Sequence, residues 1–446
     1  MAKNFHEIRD PIHVFVRLDS HERKVLDSCP FQRMRHIHQL ALTYLLYPGA
    51  THKRFEHSLG VMELASRAFD VVTSPANLTD EIRQLIPQIG SNDELHYWRR
   101  VIRMAALCHD IGHLPFSHAA EKELLPNGWN HERLTREIIC SNEMKSFWNS
   151  ITPPLRHDDI VKLAIGPEKA KGMEFSDWET ILSEIIVGDA FGVDRMDYLL
   201  RDSHHIGVAY GKFDHYRLID TLRILPAPPS GEEEGSKEPA LGVEEGGIHS
   251  AEALMLARYF MFSQVYFHPV RRIYDIHLMD FLKMWLKSGS FSTDLRQHMK
   301  MTDNEVTAGI LEEALDPNKA GHEHAQRIVG REHFKVIYQR NPNDVRVNPE
   351  AGQAVYNALK EKFEDRYFRH DRYAQKGSAP DFPVLLRDKQ IVSSLAESET
   401  LKSVPIVSVD YVFCDRKIFD EADNWLKKHR EEIIQPKKEE DSNGQN

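Results

Sequence analysis

A helical hydrophobic pattern that runs from Ser20 to about Leu225 limits the possible folds more than any other feature of the chain. Apolar residues form one stripe over Val101–Cys108 and another over Ile181–Ile186, and turn residues such as Tyr47-Pro48-Gly49 separate the helical stretches. The pattern resumes at Ala251 and continues to about Lys287. These observations predict a mainly α fold.

Two shorter regions predict β structure. Apolar residues alternate along Asp10–Leu18, which indicates a strand or a hairpin arm, and Pro405–Phe413 resembles a strand in a later accessory region. The residues from Pro226 to Gly247 are rich in Pro, Gly and Glu, which predicts an exposed loop or disordered insertion. The predicted organisation is a core over 1–290 with that loop at 226–247, an accessory α+β region over 291–435, and a disordered charged tail over 436–446.

Composition excludes several classes of protein. The net charge of -11 argues against a broad nucleic-acid surface, although a local basic pocket for a small polyanion remains compatible with it, and nucleic-acid binding stays open. The four cysteines show no CxxC spacing, which favours a reduced, cytoplasmic protein. The N-terminus has no apolar signal core, and no apolar run approaches the ~18 residues that span a bilayer. We therefore expect no membrane association.

Four side chains stand out as candidate metal ligands: His57, the adjacent pair His109-Asp110, and Asp194. Imidazole and carboxylate together suit a divalent transition ion such as Mn, Fe, Co, Ni or Zn. Such an ion lowers the pKa of bound water and neutralises phosphate, which is what hydrolysis of a phosphoester requires. The alternative for an isolated histidine is a structural hydrogen bond. His109-Asp110 is the stronger signal, because it follows an apolar helix and precedes a Gly/Pro break.

The residues around this pair add further polar groups. His113 could share a face with His109, and His118 and Glu121 have i, i+3 spacing. A carboxylate behind an imidazole would let His118 act as a general acid, whereas the alternative is a local surface His–Glu pair.

A second polar segment lies at Val193–Asp202. Helical spacing places Asp194, Tyr198, Arg201 and Asp202 on one broad face, with Arg195 at its edge. That set suits a nucleotide sugar and its phosphates, and an ion-paired amphipathic helix is the alternative.

These motifs together resemble a known family. The order His57, His109-Asp110, Asp194 is the signature of HD-domain phosphohydrolases. The stretches Phe31–Leu40, Tyr47–Gly60, Cys108–His118 and Val193–Asp202 resemble the deoxynucleoside-triphosphate triphosphohydrolases, a group that includes bacterial dGTPases and the vertebrate dNTPase that joins a SAM domain to an HD domain. The resemblance covers about residues 5–290 and is weak in the C-terminal third.

The resemblance implies a helical HD core and a reaction in which activated water attacks the α-phosphorus of a dNTP, releasing a deoxynucleoside and triphosphate. It implies that the metal is bound by His57, His109, Asp110 and Asp194, and it leaves room for an additional Mg ion. It implies that His118 is the catalytic histidine, that Glu121 is its acidic partner, and that His113 and His131 contact phosphate. The implied substrate contacts are Gln39, Leu40, Arg54, Arg195, Tyr198, Asp202, Arg258 and Tyr266.

The resemblance also implies regulation. Asp27, Gln32 and Arg35 match a guanine-recognising allosteric site at the oligomer interface of some relatives, and the alternative is helix-start capping at Asp27 with ordinary surface polarity. A guanine-nucleotide or dNTP activator and a homo-oligomer, dimer or tetramer, are the expected partners. Two other functions stay open: an HD-family nucleotidase or phosphodiesterase acting on other nucleotides, and a non-catalytic nucleotide-sensing module.

Overall fold

The computed structural model describes residues 5–117, 121, 123–227, 238–374 and 380–435. The chain opens with a hairpin of two antiparallel strands, β1 (Phe5–Asp10) and β2 (Val14–Asp19), and the predicted β element is thereby confirmed. Val16 and Leu18 are fully buried, whereas Val14 near the turn is half exposed. Asp19 then caps the first helix.

Helices form most of the described residues, and the predicted mainly α fold is confirmed. Their bounds are Ser20–Leu26 (α1), Cys29–Arg33 (α2), Arg54–Val72 (α3), Asp80–Leu85 (α4), Asn92–Cys108 (α5), His131–Ile139 (α6), Asn142–Ser150 (α7), His157–Lys169 (α8), Asp177–Val187 (α9), Val193–Ile206 (α10), His215–Asp220 (α11), Ile248–Met261 (α12), Pro269–Trp285 (α13), Leu295–His298 (α14), Asp303–Ala314 (α15), His322–Val329 (α16), Pro342–Val347 (α17), Ala351–Lys362 (α18), Ser394–Glu397 (α19), Glu399–Ser403 (α20) and Phe419–Ile434 (α21).

The strands form two further small sheets. One has the order β3 (Leu222–Ala227), β4 (Glu238–Glu244), β7 (Pro383–Leu385), β8 (Ile391–Ser393). In the other, β9 (Ser408–Cys414) lies between β5 (Lys335–Gln339) and β6 (Phe368–Ala374), all antiparallel. The strand predicted at Pro405–Phe413 is therefore confirmed, with its start shifted to Ser408.

The prediction of an exposed loop over 226–247 is wrong at both ends. β3 and β4 pair antiparallel, and Leu241 and Val243 of β4 are buried. The alternation of these two apolar residues is a strand signal that the surrounding Pro, Gly and Glu obscure. The middle of that segment, residues 228–237, lies outside the described residues.

The chain divides into two compact units, each built from several segments. The first comprises 1–261, 282–309 and 377–405, and the second comprises 262–281, 310–376 and 406–446. The boundary that the sequence predicts near residue 290 remains a prediction, and the predicted tail at 436–446 lies outside the described residues. Within those residues, no helix combines the length and apolar character that crossing a bilayer needs.

Close helix packing in the first unit places the candidate site. The long helices α3 and α5 pack against each other, and α10 packs on α3. A Cβ atom at Gly60 of α3 would lie 1.9 Å from Oδ1 of Asp197 on α10. Only glycine fits there, and the contact brings His57 of α3 up to the first turn of α10.

Candidate metal centre

Three helices of the first unit deliver the four predicted metal ligands. Helix α5 ends at Cys108, so that His109 forms its C-cap and Asp110 lies in the following turn. His57 lies on the buried face of α3, and Asp194 lies in the first turn of α10. The expected helix end before the His-Asp pair is therefore present.

Donor atoms of His57, His109 and Asp194 all lie within 4.8 Å of one another, and Asp110 borders this group while also grouping with His113 and His131. Oδ1 of Asp194 lies 3.0 Å from Nε2 of His57 and 3.4 Å from Nε2 of His109. Asp110 closes the group, with Oδ1 3.5 Å from Nε2 of His109 and Oδ2 3.7 Å from Nε2 of His57. These separations are those of ligands around one small cation, which would separate neighbouring donor atoms by about 3 Å.

The tautomer of His109 fits a metal ligand. Its Nδ1–H donates to the carbonyl of Ala106 at 2.8 Å, which leaves a lone pair on Nε2. This buried Nε2 has no hydrogen-bond partner among the described residues, although it faces the carboxylates of Asp110 and Asp194. The two carboxylates raise the pKa of His109 against the effect of burial, which shows that they favour positive charge at this position. A metal ion between Nε2 and the carboxylates would supply that charge, so the donor set fits a bound metal ion.

His57 is held from behind by a carboxylate that the sequence analysis missed. Its Nδ1 donates to Oδ2 of Asp197 at 2.8 Å, which directs Nε2 at the centre. Arg201 donates two hydrogen bonds to Asp197, and Nη1 of Arg201 reaches Asp10 at 2.8 Å. Arg201 is fully buried, so it holds Asp197 and does not join the polar face predicted for α10. His13 donates to the other oxygen of Asp197 at 2.6 Å.

The electrostatics match this arrangement. Burial alone would lower the pKa of His57, but the carboxylates of Asp194 and Asp197 raise that pKa to about 10. Burial would raise the pKa of Asp194, yet His109 and His57 hold it below its ordinary value. Without a metal ion, His57 therefore carries a proton at neutral pH.

Asp110 also contacts the predicted phosphate-binding residues. Nη1 of Arg54 donates to Oδ2 of Asp110, and Nε of Arg54 donates to Oγ of Ser117 at 2.8 Å. Nε2 of His113 lies 3.2 Å from Oδ1 of Asp110. Burial would raise the pKa of Asp110, but His109, Arg54 and His113 keep it well below its ordinary value. Arg54 and His113 thus border the candidate centre, and their contact with phosphate remains a prediction.

The predicted catalytic group is only partly described. The rings of His113 and His131 stack with centroids 4.1 Å apart, and Nδ1 of His131 donates to Glu121 at 2.7 Å. Glu121 also accepts from the backbone N–H of His131, at the start of α6. His118 lies outside the described residues. The partner observed for Glu121 is therefore His131, and the predicted pairing with His118 remains a prediction.

Three predicted substrate contacts meet beside Asp194. Nη2 of Arg195 lies 3.1 Å from Oδ1 of the exposed Asp189, whereas Nε and Nη1 of Arg195 are buried without a partner among the described residues. Burial raises the pKa of Tyr198, and the neighbouring charges of Arg195 and Arg258 oppose that rise. The Arg195 guanidinium therefore lies buried beside Tyr198, with Nε and Nη1 making no hydrogen bond among the described residues.

The predicted sugar-binding residues are connected through His52. Nε2 of His52 donates to Oδ1 of Asp202 at 2.7 Å, and the carbonyl of His52 accepts from the N–H of Gln39 at 3.0 Å. Leu40 is buried beside Gln39. Tyr266 belongs to the second compact unit and is not placed relative to this group.

The predicted allosteric residues lie around the first two helices. Asp27 is the C-cap of α1 and pairs with Arg23 at 2.7 Å, so the alternative of helix-start capping is wrong. Gln32 accepts from Arg35 at 2.9 Å, and the Arg35 guanidinium lies 3.5 Å from the centre of the Phe55 ring. An allosteric role for Asp27, Gln32 and Arg35 remains a prediction.

A cavity of about 620 Å³ adjoins the metal centre. Its wall includes His109, Asp110, Asp194 and His131 on one side and the aromatic pair Phe191 and Phe382 on the other. The volume lies within the range of small-molecule sites in proteins.

Two family models match the chain in the region of this geometry. The HD domain matches residues 54–173, which contain His57, His109 and Asp110, and the HD associated region matches residues 213–364. The chain belongs to the HD-domain family. Asp194, the fourth converging side chain, lies between the two matched segments of this HD-domain protein.

The relatives of this HD-domain protein include uncharacterized and named members. An uncharacterized protein of Methanocaldococcus jannaschii is 38% identical over 268 residues, which cover 60% of this chain and 47% of that protein. The deoxynucleoside triphosphate triphosphohydrolase SAMHD1 of Homo sapiens is 29% identical over 369 residues, covering 75% of this chain and 55% of that protein. In both comparisons, the chain spans about half the length of its relative.

A solved structure is similar over almost the whole chain. The crystal structure of a hypothetical protein from Aquifex aeolicus has a TM-score of 0.75 and 31% identity, and it covers 95% of this chain and 100% of that chain. The HD-domain assignment itself rests on the family models, and the family indicates a metal-dependent phosphohydrolase.

Proposed function

We propose that the protein is a metal-dependent dNTP triphosphohydrolase that converts a dNTP to a deoxynucleoside and triphosphate. The observation that carries the proposal is the buried guanidinium of Arg195, which follows the candidate ligand Asp194 in α10 and lies beside Tyr198, with Nε and Nη1 making no hydrogen bond among the described residues. Buried donors without acceptors are costly, and phosphate oxygens would satisfy them with charge-assisted hydrogen bonds. The similarity to the human deoxynucleoside triphosphate triphosphohydrolase supports a dNTP as the phosphate-bearing substrate.

The side chains of the site have distinct roles in this proposal. A divalent transition ion bound by His57, His109, Asp110 and Asp194 would acidify water and neutralise phosphate charge. Arg54 would orient the phosphates, because its guanidinium pairs with the candidate ligand Asp110. Arg195 is proposed to act in the same way, since it follows Asp194 in the first turn of α10. His131, with its Nδ1 bonded to Glu121, presents Nε2 as a group that could donate to a phosphate oxygen. His118 is proposed as the acid that protonates the leaving oxygen.

The choice of deoxyribose is proposed to depend on packing around the sugar. Tyr198 and Leu40 are the aromatic and aliphatic groups that would pack on C2′, and a ribose hydroxyl would clash there. Asp202 and Gln39 would bind the 3′-hydroxyl, since a buried carboxylate and amide oxygen both accept from a hydroxyl. An activator nucleotide, a homo-oligomer and a cytoplasmic location complete the proposal.

A product assay tests the proposal. Purified protein is incubated with each dNTP, alone and in mixtures, with Mn²⁺ or Mg²⁺, and the products are separated by ion-exchange chromatography. We expect deoxynucleoside and inorganic triphosphate. Release of dNMP with pyrophosphate would contradict the reaction, and activity on a dNMP or a dinucleotide with none on dNTPs would identify a nucleotidase or phosphodiesterase instead.

Two variants test whether the activity depends on the candidate metal ligands. His109→Ala removes the orphaned Nε2 and should abolish both bound metal and turnover. His249→Ala, a 94% exposed histidine side chain on α12, should leave both unchanged. Turnover that persists in His109→Ala would contradict the assignment of the centre.

A further inference from the structure

Asp303, the first residue of α15, makes an unusual set of contacts for a helix-start carboxylate. Only 1% of the surface of Asp303 is exposed to solvent. Oδ2 accepts hydrogen bonds from both the backbone N–H of His38, at 2.7 Å, and Nδ1 of the same histidine, at 2.6 Å. Oδ1 accepts from the backbone N–H of Phe116 at 2.7 Å. One carboxylate thus joins two loops that are far from it in sequence.

The contacts of the His38 ring define which of its two nitrogens donates to Asp303. Nζ of Lys53 lies 2.6 Å from Nε2 of His38, and because an ammonium can only donate, Nε2 must accept. Nδ1 therefore carries the hydrogen that is donated to Asp303. The His38 ring also stacks on the Phe116 ring, with an interplanar angle of 7°. The geometry leaves Asp303 as an acceptor at every contact.

The other side of the junction is a strained loop. Phe116 and Ser117 have φ values of 53° and 55°, in the left-handed region that non-glycine residues rarely adopt. Two consecutive residues of this kind persist only where the surroundings hold them. The hydrogen bond from the Phe116 N–H to Asp303 is the polar contact that holds this backbone from outside the loop.

The strained loop leads directly to the candidate centre. Oγ of Ser117 accepts from Nε of Arg54 at 2.8 Å, and Arg54 in turn pairs with Asp110. Displacement of Ser117 would therefore release one anchor of Arg54 while leaving the metal-binding histidines in place. Asp303 belongs to the HD associated region, whereas Phe116, Ser117 and Arg54 belong to the HD domain.

We propose that Asp303 is a positioning residue for the HD-domain centre: it fixes the left-handed Phe116–Ser117 loop and through it the orientation of Arg54. The HD associated region would then complete the phosphate-binding side of the site. The kinetic part of this inference rests on the proposed function, whereas the structural part does not.

The test compares two carboxylates of the same segment. Asp303→Asn keeps the size of the side chain but leaves only one carbonyl oxygen to accept from N–H donors that occupy both carboxylate oxygens. Asp294→Asn is the matched control, because Asp294 caps α14 through the N–H of Gln297 and makes no described contact with the Phe116 loop. Hydrogen exchange of the Phe116 amide, bound metal and dNTP turnover are measured for both variants and the unmodified chain.

We expect exchange of the Phe116 amide to accelerate by about tenfold or more in Asp303→Asn, since it loses a hydrogen bond to a charged group. Turnover should fall by about 100-fold, the scale of a 1 Å misplacement, with bound metal retained. Asp294→Asn should match the unmodified chain. If Asp303→Asn does not fold, His38→Gln should show smaller changes in the same direction. It keeps the backbone N–H bond to Asp303 but loses the ring, with its contacts to Asp303, Lys53 and Phe116.

Unchanged Phe116 exchange in a folded Asp303→Asn protein would overturn the inference, and so would equal acceleration in Asp294→Asn. If the unmodified chain does not hydrolyse dNTPs, the proposed function fails, but the exchange and metal measurements still decide whether Asp303 positions the loop.

Discussion

At the scale of single residues, Arg195 offers the most direct test of substrate binding. Arg195→Gln should reduce kcat/KM by about 10- to 100-fold, because a charged hydrogen bond to phosphate contributes about 1.5–3 kcal/mol. Bound metal should be unchanged, since Arg195 is not among the converging donors. Steady-state kinetics and metal analysis measure both quantities.

Asp189→Asn is the control for Arg195. It removes the exposed carboxylate that pairs with Nη2 and would compete with phosphate for the guanidinium. We expect KM to stay equal or to fall. A rise in KM like that of Arg195→Gln would mean that the ion pair, not the phosphate contact, supports activity.

The proton on His57 predicts how metal uptake depends on pH. The pKa of His57 in the metal-free site is about 10, so at pH 7 its Nε2 is protonated and must lose that proton to bind an ion. Apparent metal affinity should therefore rise with pH up to about 10. Calorimetric titration with Mn²⁺ in buffers of different ionisation enthalpy should show about one proton released per ion. Metal uptake that releases no protons would contradict this protonation state.

The sequence predicts the candidate metal ligands but not the groups that hold them. His57, His109, Asp110 and Asp194 are visible because their residue types and order are those of a metal site. Asp197 was overlooked because its role depends on His57 and Arg201 approaching from other turns and helices. Asp303 gives no local signal, since its partners lie 187 and 265 residues away in the chain.

At the scale of secondary-structure elements, the N-terminal hairpin is connected to the metal centre through Asp10, Arg201 and Asp197. Asp10→Asn should lower the free energy of unfolding by about 3–5 kcal/mol, the cost of removing one partner from a buried ion pair. Denaturant unfolding measures this loss. Bound metal should also decrease, because Asp197 loses its orientation toward His57.

Glu7→Gln is the control on the same hairpin. Glu7 pairs with Arg17 at 3.0 Å, but both side chains are half exposed or more, so the pair contributes about 0–1 kcal/mol. An equal loss of stability in both variants would mean that the hairpin as a whole, and not the buried ion pair, is responsible.

The boundaries of helices and strands can be predicted where the hydrophobic periodicity ends at turn-forming residues such as Gly and Pro. The end of α5 at Cys108 follows from an apolar helix that meets Asp110-Ile111-Gly112, and the helices from Ser20 onward follow from their spacing. β4 was missed because two apolar residues in a segment rich in Pro, Gly and Glu give a weak strand signal, and its pairing with β7 depends on residues about 140 positions away.

At the scale of the whole molecule, the metal ion should contribute to stability because its ligands come from three separate helices. A ligand at 100 times its Kd stabilises the folded state by about 2.7 kcal/mol. Chelation should therefore lower the temperature of the first unfolding transition, and Mn²⁺ should restore it. Differential scanning calorimetry measures the shift.

His109→Ala serves as the comparison, because a chain that does not bind the ion should unfold at the same temperature with and without chelator. A shift of equal size in His109→Ala would place the stabilising ion elsewhere in the molecule.

The tight contact at Gly60 has a consequence for any survey of variants. A single methyl group there would collide with Asp197, the carboxylate that steers His57. Gly60→Ala would thus score as an inactivating change in a mutational screen although residue 60 touches neither nucleotide nor ion. Sensitivity at position 60 reports the close spacing of α3 and α10. A map of intolerant positions would therefore include residues that only allow the ligands to be positioned, in addition to the ligands themselves.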